Sequence, residues 1–385
     1  MKMFMGMAGV GWGERPILSR SRPRLDPRTV FPRRYQAYSP RLMIAPVLVT
    51  GGTGFVGIAL VRELTEHGYE VHVLARPSAD RSVLADLPVQ WHAGDLLDAA
   101  SIERALEAVA ACAGGAGPWL VHNAAVISYR TRDAALQREV NVEGTRRVLR
   151  AARKMGVTRA VHVSSVVAVG FSSRGETLDE GAPWNGAQLG LDYVTTKRAA
   201  EELALAAAEE LDLRVVNPGA IFGPSPRPAN TARFLRKIAA GALGPIAPPG
   251  VMSPVGLRDV ATGIRLALER GRAGRRYLLC ESTLSMKDLF RRAQALLELK
   301  PTRFALPRPL WSAAVAATRA VDAVRPLELT TPQALKALGV EWRFTGARAR
   351  TELGWAPAPF EAVLTETLES LGLTGAANPR GTCSG

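Results

Sequence analysis

Cysteine is scarce in this sequence of 385 residues, which contains only Cys112, Cys280 and Cys383. Their number is odd and their spacing matches no metal-binding pattern, so neither a disulfide framework nor a metal site is expected. So few cysteines fit a reducing compartment, and we expect a cytoplasmic protein.

Long apolar runs are also missing, although 47% of the residues are hydrophobic. A membrane-spanning helix needs about 20 apolar residues, and the segment from Leu310 to Val324 is interrupted by Arg319 and Asp322. We therefore expect no integral membrane segment. The length allows one large domain with an appended lobe, or two domains.

Positive charge is abundant, with a formal net charge of +14. Such an excess would ordinarily point to nucleic acid or a membrane surface as partner. Half of it lies in residues 1–42, which hold nine Lys or Arg against Glu14 and Asp26, together with five prolines. This segment lacks helical or strand periodicity, and we interpret it as a disordered basic leader. It is a targeting peptide, a basic arm, or an upstream extension of a protein that begins at Met43; no nucleic-acid partner is expected.

From Ala45 onward, short β-branched runs alternate with longer helical patterns, which is typical of parallel βαβ units. The strands are predicted at Pro46–Thr50, Glu70–Ala75, Val89–Ala93, Trp119–Asn123, Ala160–Ser164 and Arg214–Asn217. The helices are predicted at Gly57–His67, Ala99–Ala111, Ala134–Met155 and Tyr193–Glu210. The pattern predicts an α/β fold with a doubly wound parallel sheet of the Rossmann type.

A glycine-rich turn follows the first strand directly and opens a helix. Backbone N–H groups at such a helix N-terminus can bind a pyrophosphate. The predicted dinucleotide contacts of this turn are Gly51, Thr53, Gly54, Phe55, Val56 and Gly57. The alternative is a turn whose glycines serve only a positive φ.

Arg76 stands at the end of the second predicted strand, where no carboxylate is present. An acidic residue there accepts hydrogen bonds from the adenosine ribose of NAD, whereas an arginine pairs with the 2′-phosphate of NADP. We therefore predict NADP as the cofactor, with NAD less favoured. The alternative is a solvated surface arginine.

Other predicted cofactor contacts lie at the ends of the following strands. Asp95 could accept from the adenine amino group while Leu96 packs on the ring, although a plain turn would look the same. The small residues of Asn123-Ala124-Ala125 allow close approach of a cofactor, and Pro218 closes the sixth strand on the same edge.

Tyr193 and Lys197 carry most of the functional prediction. Four residues apart on one helix, their side chains share a face. A nearby ammonium favours the phenolate, so we expect a lowered tyrosine pKa and a usable proton donor or acceptor. The same ammonium can reach the nicotinamide ribose. Ser165 ends the fifth strand just before this helix, so the three groups can converge at the carboxyl edge of the sheet.

From about Val47 to Leu373 the sequence resembles the extended short-chain dehydrogenase/reductases of the NAD(P)-dependent epimerase/dehydratase group, especially dihydroflavonol-reductase-like members. The stretch from Val71 to Arg81 is also similar to hopanoid-associated sugar epimerases. The matching motifs are the glycine turn at Gly51, Gly54 and Gly57, the serine at Ser165, the pair Tyr193 and Lys197, and the stretch beginning at Asn141 beside the cofactor.

The resemblance has departures. Where many relatives carry His-Val-Asp-Asp-Val, this sequence has Gly256-Leu257-Arg258-Asp259-Val260, and the loop Phe171–Leu191 is not diagnostic of a substrate. The expected organisation is a basic leader over 1–42, an NADP-binding Rossmann domain with the catalytic residues over 43–220, a mixed substrate-binding lobe over 221–373, and a flexible tail over 374–385.

These observations predict an NADP-dependent oxidoreductase that acts on a carbonyl or alcohol of a small, hydrophobic substrate. One alternative is a nucleotide-sugar epimerase or dehydratase with transient hydride transfer, and another is a non-catalytic sensor of NADP redox state. The helical patterns at 134–155 and 193–210 could form a four-helix dimer contact as in the resembled family, so a homodimer is a further expectation.

Overall fold

The computed structural model describes residues 44–115, 117–227, 229–241, 245–324, 327 and 331–374. The predicted leader lies outside the described residues, as does the predicted tail apart from Thr374.

The strands and helices follow one another along the whole described chain. The strands are β1 Ile44–Thr50, β2 Tyr69–Ala75, β3 Gln90–Ala93, β4 Trp119–His122, β5 Arg159–Val163, β6 Leu213–Pro218, β7 Ala220–Phe222, β8 Ile246–Ala247, β9 Val251–Met252, β10 Pro254–Gly256, β11 Arg276–Leu279, β12 Leu284–Ser285 and β13 Phe304–Ala305. The α-helices are α1 Phe55–Glu66, α2 Ala99–Cys112, α3 Ala134–Gln137, α4 Gly144–Lys154, α5 Asp192–Ala207, α6 Asn230–Ala239, α7 Leu257–Arg270, α8 Met286–Leu296, α9 Arg308–Val324, α10 Pro332–Leu338 and α11 Phe360–Ser370.

The centre of the fold is a seven-stranded parallel sheet in the order β11-β6-β5-β4-β1-β2-β3. This confirms the predicted doubly wound Rossmann sheet. The chain reverses its direction of winding between β1 and β4, which are neighbours. A crevice at the carboxyl ends of these two strands is where such sheets bind their ligands.

Alternating side chains of the strands enter two different cores. Val47 and Val49 of β1 are fully buried in the core under α1 and α7, whereas Leu48 is fully buried in the core under α2, α4 and α5. A strand covered on both faces must be apolar at every position, which explains the nearly continuous hydrophobic runs in the sequence.

The prediction of six strands was wrong by one, because β11 completes the sheet by pairing in parallel with β6, Arg276 opposite Val215. This strand has only four residues and lies in a region of irregular sequence pattern, which was assigned to the substrate-binding lobe and not to the sheet. Helix α7, which precedes it, packs on α1. The domain division at residue 220 stays a prediction. Helix α7 and strand β11 lie beyond that residue, yet they belong to the sheet and to the helices that cover it.

A smaller core lies beyond the sheet. Phe222, Leu235, Phe290, Phe360 and Leu364 are buried together there, among α6, α8 and α11. Three two-stranded pairs, β7 with β10, β9 with β12 and β8 with β13, connect these helices. Within the described ranges, no helix combines the length and the apolarity that crossing a bilayer requires.

Candidate active site

The glycine turn after β1 packs tightly against the end of β4. Gly51 has a φ of +72°, and a Cβ at this position would lie 2.8 Å from the Ala124 Cα. A Cβ on Gly57 would lie 2.0 Å from the Gly51 carbonyl oxygen. Side chains at these two positions would therefore push the turn away from β4 and from the start of α1.

Helix α1 presents a free amino-terminal end toward this turn. Its N-cap, Gly54, supplies no side-chain hydrogen bond, and the first turn contains no acidic residue. The first N–H groups of a helix lack partners within the helix, and together with the helix dipole they favour an anion. The glycine turn and the start of α1 together form a cradle that fits the pyrophosphate of a dinucleotide. Thr53, Phe55 and Val56 are half-buried beside it.

A buried chain of hydrogen bonds connects the end of β1 to Asn141. The Thr50 hydroxyl accepts from the N–H groups of Asn123 and Ala124, at 3.1 Å each, and lies 2.8 Å from Nδ1 of His122. His122 Nε2 lies 3.0 Å from the Thr145 hydroxyl, which donates to the Asn141 carbonyl at 2.6 Å. The directions agree when His122 carries its proton on Nε2. Burial lowers the pKa of His122 to about 3, which keeps it neutral.

Asn141 was predicted as a cofactor contact through the family resemblance. In the structure it lies in a π-helical turn, Arg138–Glu143, which interrupts the long helix predicted over 134–155. Its buried side chain accepts from the Val126 N–H at 2.7 Å and donates to the Val126 carbonyl at 2.9 Å. Asn141 thus holds the loop after β4 beside the cradle.

The other predicted cofactor residues lie along the carboxyl edge of the sheet. Arg76 is exposed just after β2, and it makes no ion pair within the described part of the chain.

Asp95 accepts from the N–H of Leu97 at 3.0 Å, and Leu96 is buried in the core against Gly144. Ala125 is exposed, and the buried Pro218 ends β6.

Ser165, Tyr193 and Lys197 meet at this edge. Ser165 follows β5, and its hydroxyl lies near enough to that of Tyr193, in the first turn of α5, to lower the pKa of the phenol. The buried Lys197 ammonium donates to the Val163 carbonyl at 2.9 Å. The sheet and one helix therefore place a phenol, a hydroxyl and an ammonium at the same edge, and their catalytic role stays a prediction.

The protonation of this set differs from the sequence expectation in one respect. Burial raises the pKa of Tyr193 to about 12, although the neighbouring Ser165 hydroxyl opposes the rise. The predicted lowering of the tyrosine pKa was wrong for this structure, because desolvation of the phenolate is the largest effect on it. Burial lowers the pKa of Lys197 to about 8, and the carboxylate of Glu201 opposes that shift.

Sequence reasoning missed a buried network behind the three predicted catalytic residues. Asn217 of β6 donates to the Ser165 carbonyl at 2.9 Å and to a Glu201 carboxylate oxygen at 2.5 Å. Glu201 is fully buried one turn after Lys197 and pairs with Arg276 of β11 at 3.1 Å. The network links the backbone of Ser165 to the helix that carries Tyr193 and Lys197. Glu201 lies four residues after Lys197 on the predicted helix, and this spacing was the sequence signal that could have placed its carboxylate beside the lysine.

Tyr193 belongs to a buried cluster that contains several aromatic side chains. The Tyr129 ring lies edge-on to the Tyr193 ring, with centroids 5.8 Å apart. Phe171, Trp184 and Trp342 pack on the same buried cluster. Helix α10 closes this side, because Thr331 donates to the Tyr129 carbonyl at 2.6 Å and Gln333 donates to Asp192 at 2.7 Å.

Comparison with known proteins agrees with this geometry. The model of the NAD dependent epimerase/dehydratase family matches residues 47–280. The chain belongs to this family. It is an NAD(P)-dependent enzyme of the extended short-chain dehydrogenase/reductase type that acts on small molecules, which confirms the predicted enzyme class.

Relatives include both reductases and epimerases. The chain is 33% identical to sterol demethylase protein B of Methylococcus capsulatus, covering 83% of this chain and 96% of that protein. It is 34% identical to a putative dihydroflavonol 4-reductase of Synechocystis, covering 68% and 75%. The solved nucleoside-diphosphate-sugar epimerase PA4631 of Pseudomonas aeruginosa is 25% identical with a TM-score of 0.66, covering 86% of this chain and 99% of that one.

Proposed function

We propose that this protein is an NADP-dependent oxidoreductase that interconverts a carbonyl and an alcohol on a small, hydrophobic substrate. The observation that carries the proposal is the convergence of Ser165, Tyr193 and Lys197 at the edge of the sheet where the glycine cradle also lies. A proton donor and a cofactor cradle on the same edge are what carbonyl reduction requires.

The three side chains have different tasks in the proposed reaction. The nicotinamide, when bound, supplies or accepts the hydride. Tyr193 gives its hydroxyl proton to the substrate oxygen in reduction and takes it back in oxidation. Ser165 donates a second hydrogen bond to that oxygen as negative charge develops. The Lys197 ammonium favours the phenolate that remains and holds the ribose of the cofactor.

The preference for NADP rests on the charges after β2. Arg76 is exposed and offers its guanidinium to a 2′-phosphate, and no carboxylate ends the strand. Five residues further on, Arg81 lies over the Trp91 ring, 5.2 Å from its centroid. A 2′-phosphate would meet positive charge here, whereas a carboxylate suited to the ribose of NAD is missing.

The hydrophobic substrate class rests on the aromatic surroundings of Tyr193. The Tyr129 ring lies edge-on to Tyr193, and Phe171, Trp184 and Trp342 pack on the same buried cluster. Ile127, in the loop after β4, is 56% exposed. Two relatives point the same way by name, since one is a sterol demethylase protein and the other a putative dihydroflavonol reductase. A polycyclic ketone or alcohol is the substrate class that fits.

The test is a panel of sterol ketones, flavanones, dihydroflavonols and nucleotide sugars, each incubated with the purified enzyme and NADPH or NADH. We expect net oxidation of NADPH, in proportion to product, with a polycyclic ketone and much less with NADH. Conversion of a nucleotide sugar without net change in cofactor absorbance would instead identify an epimerase or dehydratase. The Tyr193→Phe variant is the matched inactive control.

A further inference from the structure

A second cluster of reactive side chains lies on β2 and α2, away from the catalytic edge. Glu70 and His72 are two residues apart on β2, so their side chains are on the same face of the strand. Cys112 is the last residue of α2, the helix that covers this face. A carboxylate, an imidazole and a thiol therefore come together although the sequence separates the thiol by 40 positions.

The three groups are close to the geometry of a metal site. His72 Nε2 lies 3.2 Å from a Glu70 carboxylate oxygen, and these atoms and the Cys112 sulfur all lie within 4.8 Å of one another. Ligand atoms of a tetrahedral Zn²⁺ site, with bonds of about 2.0 to 2.3 Å, are roughly 3.3 to 3.7 Å apart. Cys112 is exposed at the end of a helix, so its sulfur can move closer to the other two ligand atoms until the distances match those of a zinc site.

Neighbouring side chains already orient two of the ligands. His72 is fully buried, and its Nδ1 lies 2.9 Å from Nε2 of His92 on β3. Gln90 donates to the same Glu70 oxygen at 2.6 Å. A histidine that binds a metal through Nε2 usually gives its Nδ1 proton to a second group, which fixes the ring. His92 is placed to accept that proton.

We propose that Glu70, His72 and Cys112 form a Zn²⁺ site whose fourth position is open to water. Sulfur, nitrogen and oxygen ligands together suit Zn²⁺, whereas Mg²⁺ and Ca²⁺ prefer oxygen alone. The metal joins the end of α2 to β2 and holds the Cys112 thiolate. The site is separate from hydride transfer, and its role is to stabilise the edge of the sheet.

The full-length protein, stripped of metal with a chelator, is titrated with Zn²⁺ against a chromophoric competitor and with Co²⁺ as a spectroscopic probe. We expect one Zn²⁺ per chain, a rise in Tm with Zn²⁺ but not Mg²⁺, and a thiolate-to-Co²⁺ charge-transfer band. Cys112→Ser and Glu70→Gln should each weaken Zn²⁺ binding by about tenfold or more.

Two variants serve as matched controls. His67→Gln removes an exposed histidine that lies 3.7 Å from a carboxylate, Glu63, and that belongs to no cluster of three possible metal ligands among the described residues. Cys383→Ser removes another thiol. Both should bind Zn²⁺ and Co²⁺ like the wild type. Absence of stoichiometric binding, unchanged affinity in Cys112→Ser and Glu70→Gln, or a Co²⁺ band that depends on Cys383 rather than Cys112 would each overturn the proposal.

Discussion

Replacing Tyr193 with phenylalanine is the most direct test of the proposed chemistry. The change removes one oxygen and keeps the ring, so the packing against Tyr129 at 5.8 Å should survive. Loss of the buried hydroxyl beside Ser165 should cost no more than about 1 kcal/mol of stability. Cofactor binding should be preserved, because the cradle at Gly51 and Gly57 is untouched.

Turnover should fall much further than stability. Positioned proton transfer contributes about 10²- to 10⁴-fold to a rate. The variant also loses one of the two donors to the substrate oxygen, leaving Ser165. We therefore expect the loss to appear in kcat. The NADPH dissociation constant, measured by fluorescence, should be nearly unchanged. A variant that kept more than about a tenth of wild-type kcat, against this expected loss, would show that Tyr193 is not the proton donor.

Lys197→Met is a useful second variant, because it should change cofactor binding, which Tyr193→Phe should leave intact. The lysine is assigned both a contact to the ribose and an electrostatic effect on the phenol. The variant should therefore weaken NADPH binding as well as lower kcat. Equal NADPH affinity in the two variants would refute the assigned ribose contact.

Four further predictions concern the same edge of the sheet. Activity should decline as the pH rises through about 8, because Lys197 loses its proton there, and the pH profile of Lys197→Met should lack this step. Arg76→Asp should shift the ratio of kcat/KM from NADPH toward NADH, and a wild type that already prefers NADH would contradict the cofactor proposal. Gly57→Ala should abolish NADPH binding measured by calorimetry, because its methyl group would lie 2.0 Å from the Gly51 oxygen. Asn217→Ala should lower kcat but leave NADPH affinity unchanged, since it releases the Ser165 backbone; an equal loss of both would indicate general unfolding.

The sequence alone was enough to predict the glycine turn and the strand and helix on either side of it. The glycine turn lies between a β-branched strand and a helix, and local sequence determines both, so the observed α1 begins two residues from the predicted start. The pairing of Ser165 with Tyr193 followed from the rule that parallel strands end on one edge. Periodicity and topology carry this information without any knowledge of packing.

Other features depend on contacts between distant segments. The direction of the Tyr193 pKa shift required knowing that the folded protein buries the phenol. The role of Glu201 required knowing that β11 brings Arg276 to it. Cys112 could not be connected with Glu70 from spacing, because only the packing of α2 on β2 brings them together.

The position of β11 in the chain has a consequence for biosynthesis. During translation, β6 leaves the ribosome more than 50 residues before β11, its neighbour in the sheet. Until Leu279 has emerged, the backbone N–H and C=O groups along one side of β6 are unpaired, and such an open edge can pair with another nascent chain. A fragment that ended at residue 220 would keep this edge permanently, and we expect it to aggregate. The seven-stranded sheet can therefore be completed only after the chain has been synthesised as far as Leu279.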